Sequence, residues 1–301
     1  MSRAPWTGCG TALVTPFSSS GAVDEATLRR LVHRQLTAGV HFLVPCGTTG
    51  ESPTLTAHER RRVVEIVVEE SAGRVPVLAG AGGYNTEEVI EAGLEMRRAG
   101  AGGLLSVTPY YNKPTQEGLF QHYQAIAGRT EMPIIVYNVP GRTGCNVEVG
   151  TIARLAAIPG IVGVKEASGN MTQMCEVCRA VPESFVVLSG DDALTLPLMA
   201  VGGRGVISVA SNEAPAGMAA IVEAAEAGDL ATARARHARL LPLMQANFIE
   251  SNPIPVKAAM AMMGLIEERY RLPLVPMQPK SRERLAAVLQ TQGLLSTADA
   301  A

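Results

Sequence analysis

Lysine is nearly missing from this chain. Of 26 basic residues only four are lysines, at 113, 165, 257 and 280. Aromatic residues make up 4% of the sequence, with a single tryptophan, so the 47% hydrophobic content has to build an interior of Ala, Val, Leu and Ile. No apolar run reaches the length of a membrane span, and the opening Met-Ser-Arg-Ala-Pro-Trp has no signal-peptide core. Net charge is −2 with no basic block, which argues against nucleic acid and anionic membrane as partners. Five cysteines, an odd number, fit a reduced protein better than a disulfide scaffold, and a cytoplasmic location is expected. The five histidines (33, 41, 58, 122, 237) fall in no metal-ligand spacing, and no metal is expected. Cys175 and Cys178 form a lone Cys-x-x-Cys without a second ligand pair, in a segment that reads as helix. They are expected to be half-buried small apolar residues.

Against that scarcity, Lys165 stands out. It closes Gly160-Ile161-Val162-Gly163-Val164-Lys165-Glu166-Ala167, a short apolar run that otherwise reads as a buried strand. An ammonium can lose its proton when desolvated and attack a carbonyl, whereas a guanidinium stays charged. Lys165 is therefore a candidate Schiff-base nucleophile. The competing reading is a structural lysine paired with a carboxylate such as Glu166.

Along the chain, apolar strands alternate with Ala/Glu/Arg-rich helices. Strands are expected at 10–15, 41–46, 75–79, 103–108, 134–138, 161–165, 185–190 and 205–210. Helices are expected at 24–38, 57–72, 86–99, 116–129, 148–156, 171–180, 193–201 and 214–227, several of them ending at a glycine such as Gly39, Gly73, Gly100 or Gly228. Asp24 and Thr56 are candidate N-caps, the latter with Glu59 three residues on, as in a capping box. Eight such units with uniformly apolar strands predict a closed α/β architecture, a (β/α)8 TIM barrel, over residues 1–228. Residues 229–301 are expected to form a C-terminal helical domain, with breaks at Asn252-Pro253-Ile254-Pro255 and Leu272-Pro273 and a frayed tail at 296–301.

Barrels of this type carry their active sites on the loops after the strands. Here those loops hold Gly47-Thr48-Thr49-Gly50-Glu51, Thr108-Pro109-Tyr110-Tyr111-Asn112-Lys113-Pro114, Tyr137-Asn138-Val139-Pro140-Gly141-Arg142-Thr143-Gly144, Lys165, and Ser189-Gly190-Asp191-Asp192. Each has a plain alternative. The Gly-Thr-Thr-Gly turn presents hydroxyls and amides suited to a carboxylate or phosphate, or it is only a connection. The paired tyrosines can pack a loop, and Arg142 can be a solvated arginine. Gly80-Ala81-Gly82-Gly83 lacks the third glycine of a dinucleotide fingerprint and reads as a turn. The coincidence of Lys, Tyr, Thr and Arg on one rim suits carbonyl chemistry. Lysine forms an imine with a 2-oxo acid, tyrosine and threonine hydroxyls move protons, and arginine grips a second carboxylate.

From Gly8 to Leu295 these motifs, together with Gly205-Val206-Ile207-Ser208 and Asn252-Pro253-Ile254-Pro255-Val256-Lys257, resemble the dihydrodipicolinate synthase family. That family belongs to the pyruvate-dependent class I aldolase superfamily, which includes N-acetylneuraminate lyase. The resemblance implies condensation of pyruvate with L-aspartate 4-semialdehyde and cyclisation, in the diaminopimelate/lysine biosynthesis pathway. It implies that Lys165 forms the imine, with no other cofactor, and that Thr48 and Thr49 hold the pyruvate carboxylate. It further implies a proton relay in which Thr48 links Tyr137 and Tyr111. Arg142 is expected on the carboxylate of the semialdehyde, helped by the backbone carbonyls of Gly190 and Ile207. Tyr111 is expected to cross a dimer interface, in a homotetramer built as a dimer of dimers.

Lysine-inhibited members of the family bind lysine through residues that align with Ser52, Pro53, Leu55, Ala57, Arg60, Tyr84, Glu88 and Tyr110. Ala57 and Arg60 stand where histidines are usual, and Tyr84 where an asparagine is usual, so inhibition by lysine is not expected here. Two other functions compete. One is a pyruvate-releasing lyase acting on N-acetylneuraminate or a 2-keto-3-deoxy sugar acid, against which Arg142 weighs. The other is a non-catalytic keto-acid-binding paralogue, against which the complete set of Lys165, Tyr137, Tyr111, Thr48 and Thr49 weighs.

Overall fold

A computed structural model describes residues 5–295. Its strands are β1 (Gly8–Ala12), β2 (Phe42–Val44), β3 (Leu78–Gly80), β4 (Gly103–Val107), β5 (Ile134–Asn138), β6 (Ile161–Glu166), β7 (Val186–Ser189) and β8 (Gly205–Ser208). The helices between and after them are α1 (Glu25–Thr37), α2 (Ala57–Ser71), α3 (Thr86–Arg98), α4 (Gln116–Thr130), α5 (Pro140–Thr143), α6 (Val149–Leu155), α7 (Met171–Ala180), α8 (Thr195–Ala200) and α9 (Pro215–Glu226). Three more follow: α10 (Leu230–Ala246), α11 (Ile254–Met262) and α12 (Pro279–Thr291).

All ladder pairings are parallel, in the order β2-β1-β8-β7-β6-β5-β4-β3. A parallel bridge from Leu43 to Val77 closes the ring, supported by Gly80 N–H donating to Pro45 O at 2.9 Å. The expected eight-stranded barrel is therefore the fold. Six of its strands are shorter than the apolar runs suggest, whereas β5 matches its run and β6 extends one residue beyond it. The second stops at Val44 because Pro45 has no N–H to donate and Cys46 turns to φ 57. The third starts only at Leu78, after Pro76 interrupts the ladder.

Alternation along the strands sorts the core into two shells. Ala12, Phe42, Val44, Leu105, Ile135, Tyr137, Leu188 and Ile207 fill the barrel, while Leu43, Ala79, Leu104, Ile134, Val136, Val164 and Val187 meet the surrounding helices. Trp6 packs edge-on against Phe42 at 6.1 Å and plugs the bottom. A further cluster joins α9, α10, α11 and α12 to Cys9 and Val206 of the barrel.

The helix starts follow their caps. Asp24 accepts from Thr27 N–H, and Thr56 and Glu59 form the reciprocal capping box, a feature worth about 1 kcal/mol. Gly39, Gly73, Gly100 and Gly228 all take positive φ just past their helices. Cys178 is half-buried as expected, with its thiol pushed up to about 11 by burial, whereas Cys175 is exposed because it lies on the outer face of α7. The frayed tail expected at 296–301 lies outside the described residues.

Candidate active site

Lys165 sits near the end of β6 in direct register with Tyr137 on β5 and Leu188 on β7. Residues in register on neighbouring strands point to the same side, so both functional side chains enter the barrel mouth. The Lys165 ammonium lies 4.2 Å from the centroid of the Tyr137 ring, and both residues are buried. Glu166, one residue on, points the opposite way. Its carboxylate accepts from Asn138 Nδ2 at 2.9 Å, Gln173 Nε2 at 3.2 Å and Ser168 N–H at 2.7 Å. The structural alternative of a Lys165–Glu166 pair is thereby removed, and among the described residues Lys165 makes no ion pair. The bare backbone of Gly190 lets β7 approach. A Cβ there would sit 2.6 Å from the Ala167 Cβ and 3.0 Å from the Lys165 Cε.

The loop at 47–51 is wound tightly. Gly50 N–H donates to Gly47 O at 3.1 Å, Glu51 N–H to Thr48 O at 3.1 Å, and Thr15 Oγ1 ties Gly50 O at 2.7 Å. Among the described residues, neither the Thr48 nor the Thr49 amide donates to another backbone group, which leaves a pair of N–H groups beside two hydroxyls. Such a nest suits a carboxylate. Two non-glycine residues flank it in the left-handed region, Cys46 at φ 57 and Glu51 at φ 52. Each conformation costs about 1 kcal/mol or more, and such strain gathers at functional loops. Gly80 allows β3 to press against this loop, since a Cβ there would meet Cys46 O at 2.0 Å.

A cavity of about 110 Å³ brings together Thr48, Thr49, Tyr137, Arg142, Lys165 and Gly190. It adjoins a larger one of about 300 Å³ that shares Thr48, Tyr137 and Arg142. Arg142 lies on the single turn α5, exposed at the rim, with Nη2 donating to Asn252 O at 3.0 Å. Ile207 is fully buried on β8 and outside both linings. Tyr111 is not part of this cavity within one chain. It is 91% exposed, at φ 67 on the loop after β4.

The residues of the expected effector site partly converge. Ser52, Arg60, Tyr84, Glu88 and Tyr110 line a third cavity of about 160 Å³, with Tyr84 and Tyr110 edge to face at 5.0 Å. Pro53 lines the larger cavity instead, Leu55 is buried in the core, and Ala57 is exposed outside all three linings. Burial raises the Tyr110 hydroxyl, as do Tyr84 and Glu88, while Arg60 opposes them.

Asp191, Phe248 and Asn252 also line the Lys165 cavity, and none of them had a role assigned from the sequence. Asn252 Nδ2 donates to Thr49 Oγ1 at 3.0 Å. The Asn-Pro-Ile-Pro motif was the available signal for it, legible as a helix break but not as a wall of the site. Among the described residues, no three His, Cys, Asp or Glu side chains group as a metal site requires, and no helix is long and apolar enough to cross a membrane.

A closed parallel barrel with a buried lysine on its sixth strand, facing the Thr48–Thr49 loop across a small cavity, defines a class of protein: a (β/α)8 barrel with a lysine at its mouth. The chain matches the Dihydrodipicolinate synthetase family over residues 5–292, and it belongs to that family. It is 54% identical to the 4-hydroxy-tetrahydrodipicolinate synthase of Koribacter versatilis, over 98% of each chain. Among solved structures it resembles dihydrodipicolinate synthase from Thermotoga maritima, with TM-score 0.95 and 47% identity over 97% of this chain and all of that one. The chloride-inhibited enzyme from Acinetobacter baumannii, solved in complex with pyruvate, gives TM-score 0.94 and 42% identity over 96% of this chain and 99% of that one.

Proposed function

We propose that this chain is a lyase that condenses pyruvate with L-aspartate 4-semialdehyde and cyclises the product to 4-hydroxy-tetrahydrodipicolinate. The carrying observation is the buried Lys165 amine stacked on Tyr137 and facing the Thr48–Thr49 nest across one small cavity. Relatives named for this activity at more than half identity support the reading.

In this scheme the Lys165 amine attacks the pyruvate ketone, and water leaves as the imine forms. The pyruvate carboxylate rests on the Thr48 and Thr49 amides and hydroxyls. Loss of a methyl proton gives an enamine, whose carbon attacks the aldehyde of the second substrate while the aldehyde oxygen takes up a proton. The substrate's own amine then adds to the imine carbon, closes the ring and expels the Lys165 amine. Tyr137 carries the protons, being the hydroxyl-bearing side chain packed on the Lys165 ammonium. Tyr111 completes a relay through Thr48 from a neighbouring subunit, and Arg142 at the rim takes the semialdehyde carboxylate, oriented by the carbonyls of Gly190 and Ile207.

The covalent imine is the electron sink, so no further cofactor enters the scheme. Residues 1–228 act as the catalytic barrel and 229–301 as a helical domain, in a cytoplasmic homotetramer arranged as a dimer of dimers. Incubating the protein with both substrates and identifying the product by mass spectrometry tests the activity. Formation of the cyclic adduct supports it. Cleavage of N-acetylneuraminate or a 2-keto-3-deoxy sugar acid to pyruvate, without condensation, would place the chain with the sugar-acid lyases.

A further inference from the structure

Among the described residues, the one ion pair with both side chains fully buried lies outside the substrate cavity. Lys257 on α11 and Glu51 at the end of the 47–51 loop pair at 2.5 Å, and both side chains are 0% exposed. Lys257 also donates to Thr15 O at 3.2 Å and lies 4.3 Å over the Phe17 ring. The second Glu51 oxygen accepts from Arg271 N–H at 3.3 Å. Burying two charges is expensive, and an apolar pair of the same volume often stabilises a fold as well or better. The contact is therefore weakly explained by stability and better explained by the geometry it imposes.

That geometry is specific. Glu51 is held at φ 52, and its N–H donates to Thr48 O, so anchoring its carboxylate fixes the end of the carboxylate nest. Five residues before Lys257, Asn252 reaches the same nest from the other side, with Nδ2 on Thr49 Oγ1 at 3.0 Å. The Asn252 carbonyl accepts from Arg142 Nη2, also at 3.0 Å. One short segment thus grips the Thr48–Thr49 loop at two points and Arg142 at a third.

We propose that residues 252–257 are a positioning element for both substrate carboxylates: Lys257 anchors the nest through Glu51, and Asn252 sets the separation between Thr49 and Arg142. The inference rests on the pyruvate and semialdehyde roles given above for those residues. A shift of the nest by as little as 1 Å costs roughly 10²-fold in a reaction that depends on placement. Lys257 lies outside the Lys165 cavity and Asn252 in its wall, and both act through Thr49, Glu51 and Arg142.

The test uses the full chain with Asn252→Ala, Lys257→Met and the double Glu51→Gln/Lys257→Met, and with Asn252→Ala in an Arg142→Ala background. Pyruvate half-saturation is read by borohydride trapping, and KM for the semialdehyde from initial rates, at a temperature where melting curves show each protein folded. Asn252→Ala removes the side-chain bond to Thr49 Oγ1 but keeps the backbone carbonyl that Arg142 contacts, so pyruvate half-saturation should rise by roughly 2- to 10-fold, the worth of one hydrogen bond, and semialdehyde KM should rise less, through the loosened segment. In an Arg142→Ala background its effect on semialdehyde KM should vanish, because Asn252 acts there through Arg142.

Lys257→Met strands a buried carboxylate and can prevent folding, which is why the double variant is included. With both charges gone the double variant should melt close to wild type yet keep a raised pyruvate half-saturation, a result that a purely structural pair would not give. Wild-type half-saturation and KM in both the double variant and Asn252→Ala would overturn the proposal. If the wild type itself traps no pyruvate at Lys165, the functional reading fails, and the positioning role with it.

Discussion

Tyr137 and Lys165 are register partners across the β5–β6 ladder, and the ammonium of one lies 4.2 Å from the ring centroid of the other. The contact is with the ring face, so the phenolic hydroxyl can be removed without disturbing it. Tyr137→Phe should keep the fold and keep Lys165 in place, while turnover falls by roughly 10²–10⁴-fold, the usual worth of a positioned acid or base. Steady-state kinetics beside a melting curve check this. Near-normal turnover would show that the protons travel by another route.

Tyr111 projects from its own subunit, and the proposed relay has it act in the neighbour's cavity. Tyr111→Phe and Lys165→Arg should each be nearly inactive alone. Mixed and reassembled, the two variants should recover activity, because a hybrid dimer contains one site with both residues intact. Random mixing should restore about a quarter of the wild-type specific activity for an isologous dimer. No recovery in verified hybrids would confine each active site to one chain.

Arg142 sits on a single helical turn at the rim and, among the described residues, its guanidinium donates to the Asn252 carbonyl through Nη2, leaving most of its donors for a ligand. Arg142→Ala should leave pyruvate trapping at Lys165 close to wild type. Its kcat/KM for the semialdehyde should fall by roughly 10- to 100-fold, as expected for one lost charge-assisted hydrogen bond. A variant impaired equally in pyruvate trapping would place Arg142 on the first substrate instead.

L-Lysine should inhibit weakly at millimolar concentration or not at all. Arg60 lines the third cavity beside Glu88 and Tyr110, whereas Ala57 lies outside it, so charge is the chief obstacle to bound lysine. Two unit charges roughly 6 Å apart repel by about 3 kcal/mol at an effective dielectric near 20, before salt screening. Arg60→Ala should therefore tighten inhibition several-fold. Micromolar inhibition of the wild type would mean that Arg60 swings out of the pocket when lysine binds.

Local chemistry made most of the barrel legible. The starts of α1 and α2 follow from Asp24 and Thr56, each accepting a backbone N–H in the first turn. Lys165 was readable because a lysine inside an apolar strand conflicts with its surroundings, and such conflicts concentrate at functional sites. Strand ends were less legible, since register with neighbours rather than hydropathy decides where pairing stops. The last strand, expected at 205–210, ends at Ser208, beyond which the chain turns into a short 3₁₀ segment at 210–212. Least legible was the wall contributed from beyond the barrel. Glu51 and Lys257 are 206 residues apart and Thr49 and Asn252 are 203 apart, and no periodicity or spacing connects residues so distant. Arg142 at the rim and exposed Tyr111 depend on bound ligand or a second chain, which the pattern of one sequence does not carry.

Covalent capture tests the central claim most directly. The protein is incubated with pyruvate, reduced with borohydride, digested and mapped by mass spectrometry. One reduced pyruvyl group should appear on Lys165, with activity lost in proportion, and Lys165→Arg should take up none because a guanidinium supplies no neutral amine. Modification at Lys113 or Lys257 in its place, or no adduct at saturating pyruvate, would contradict the account.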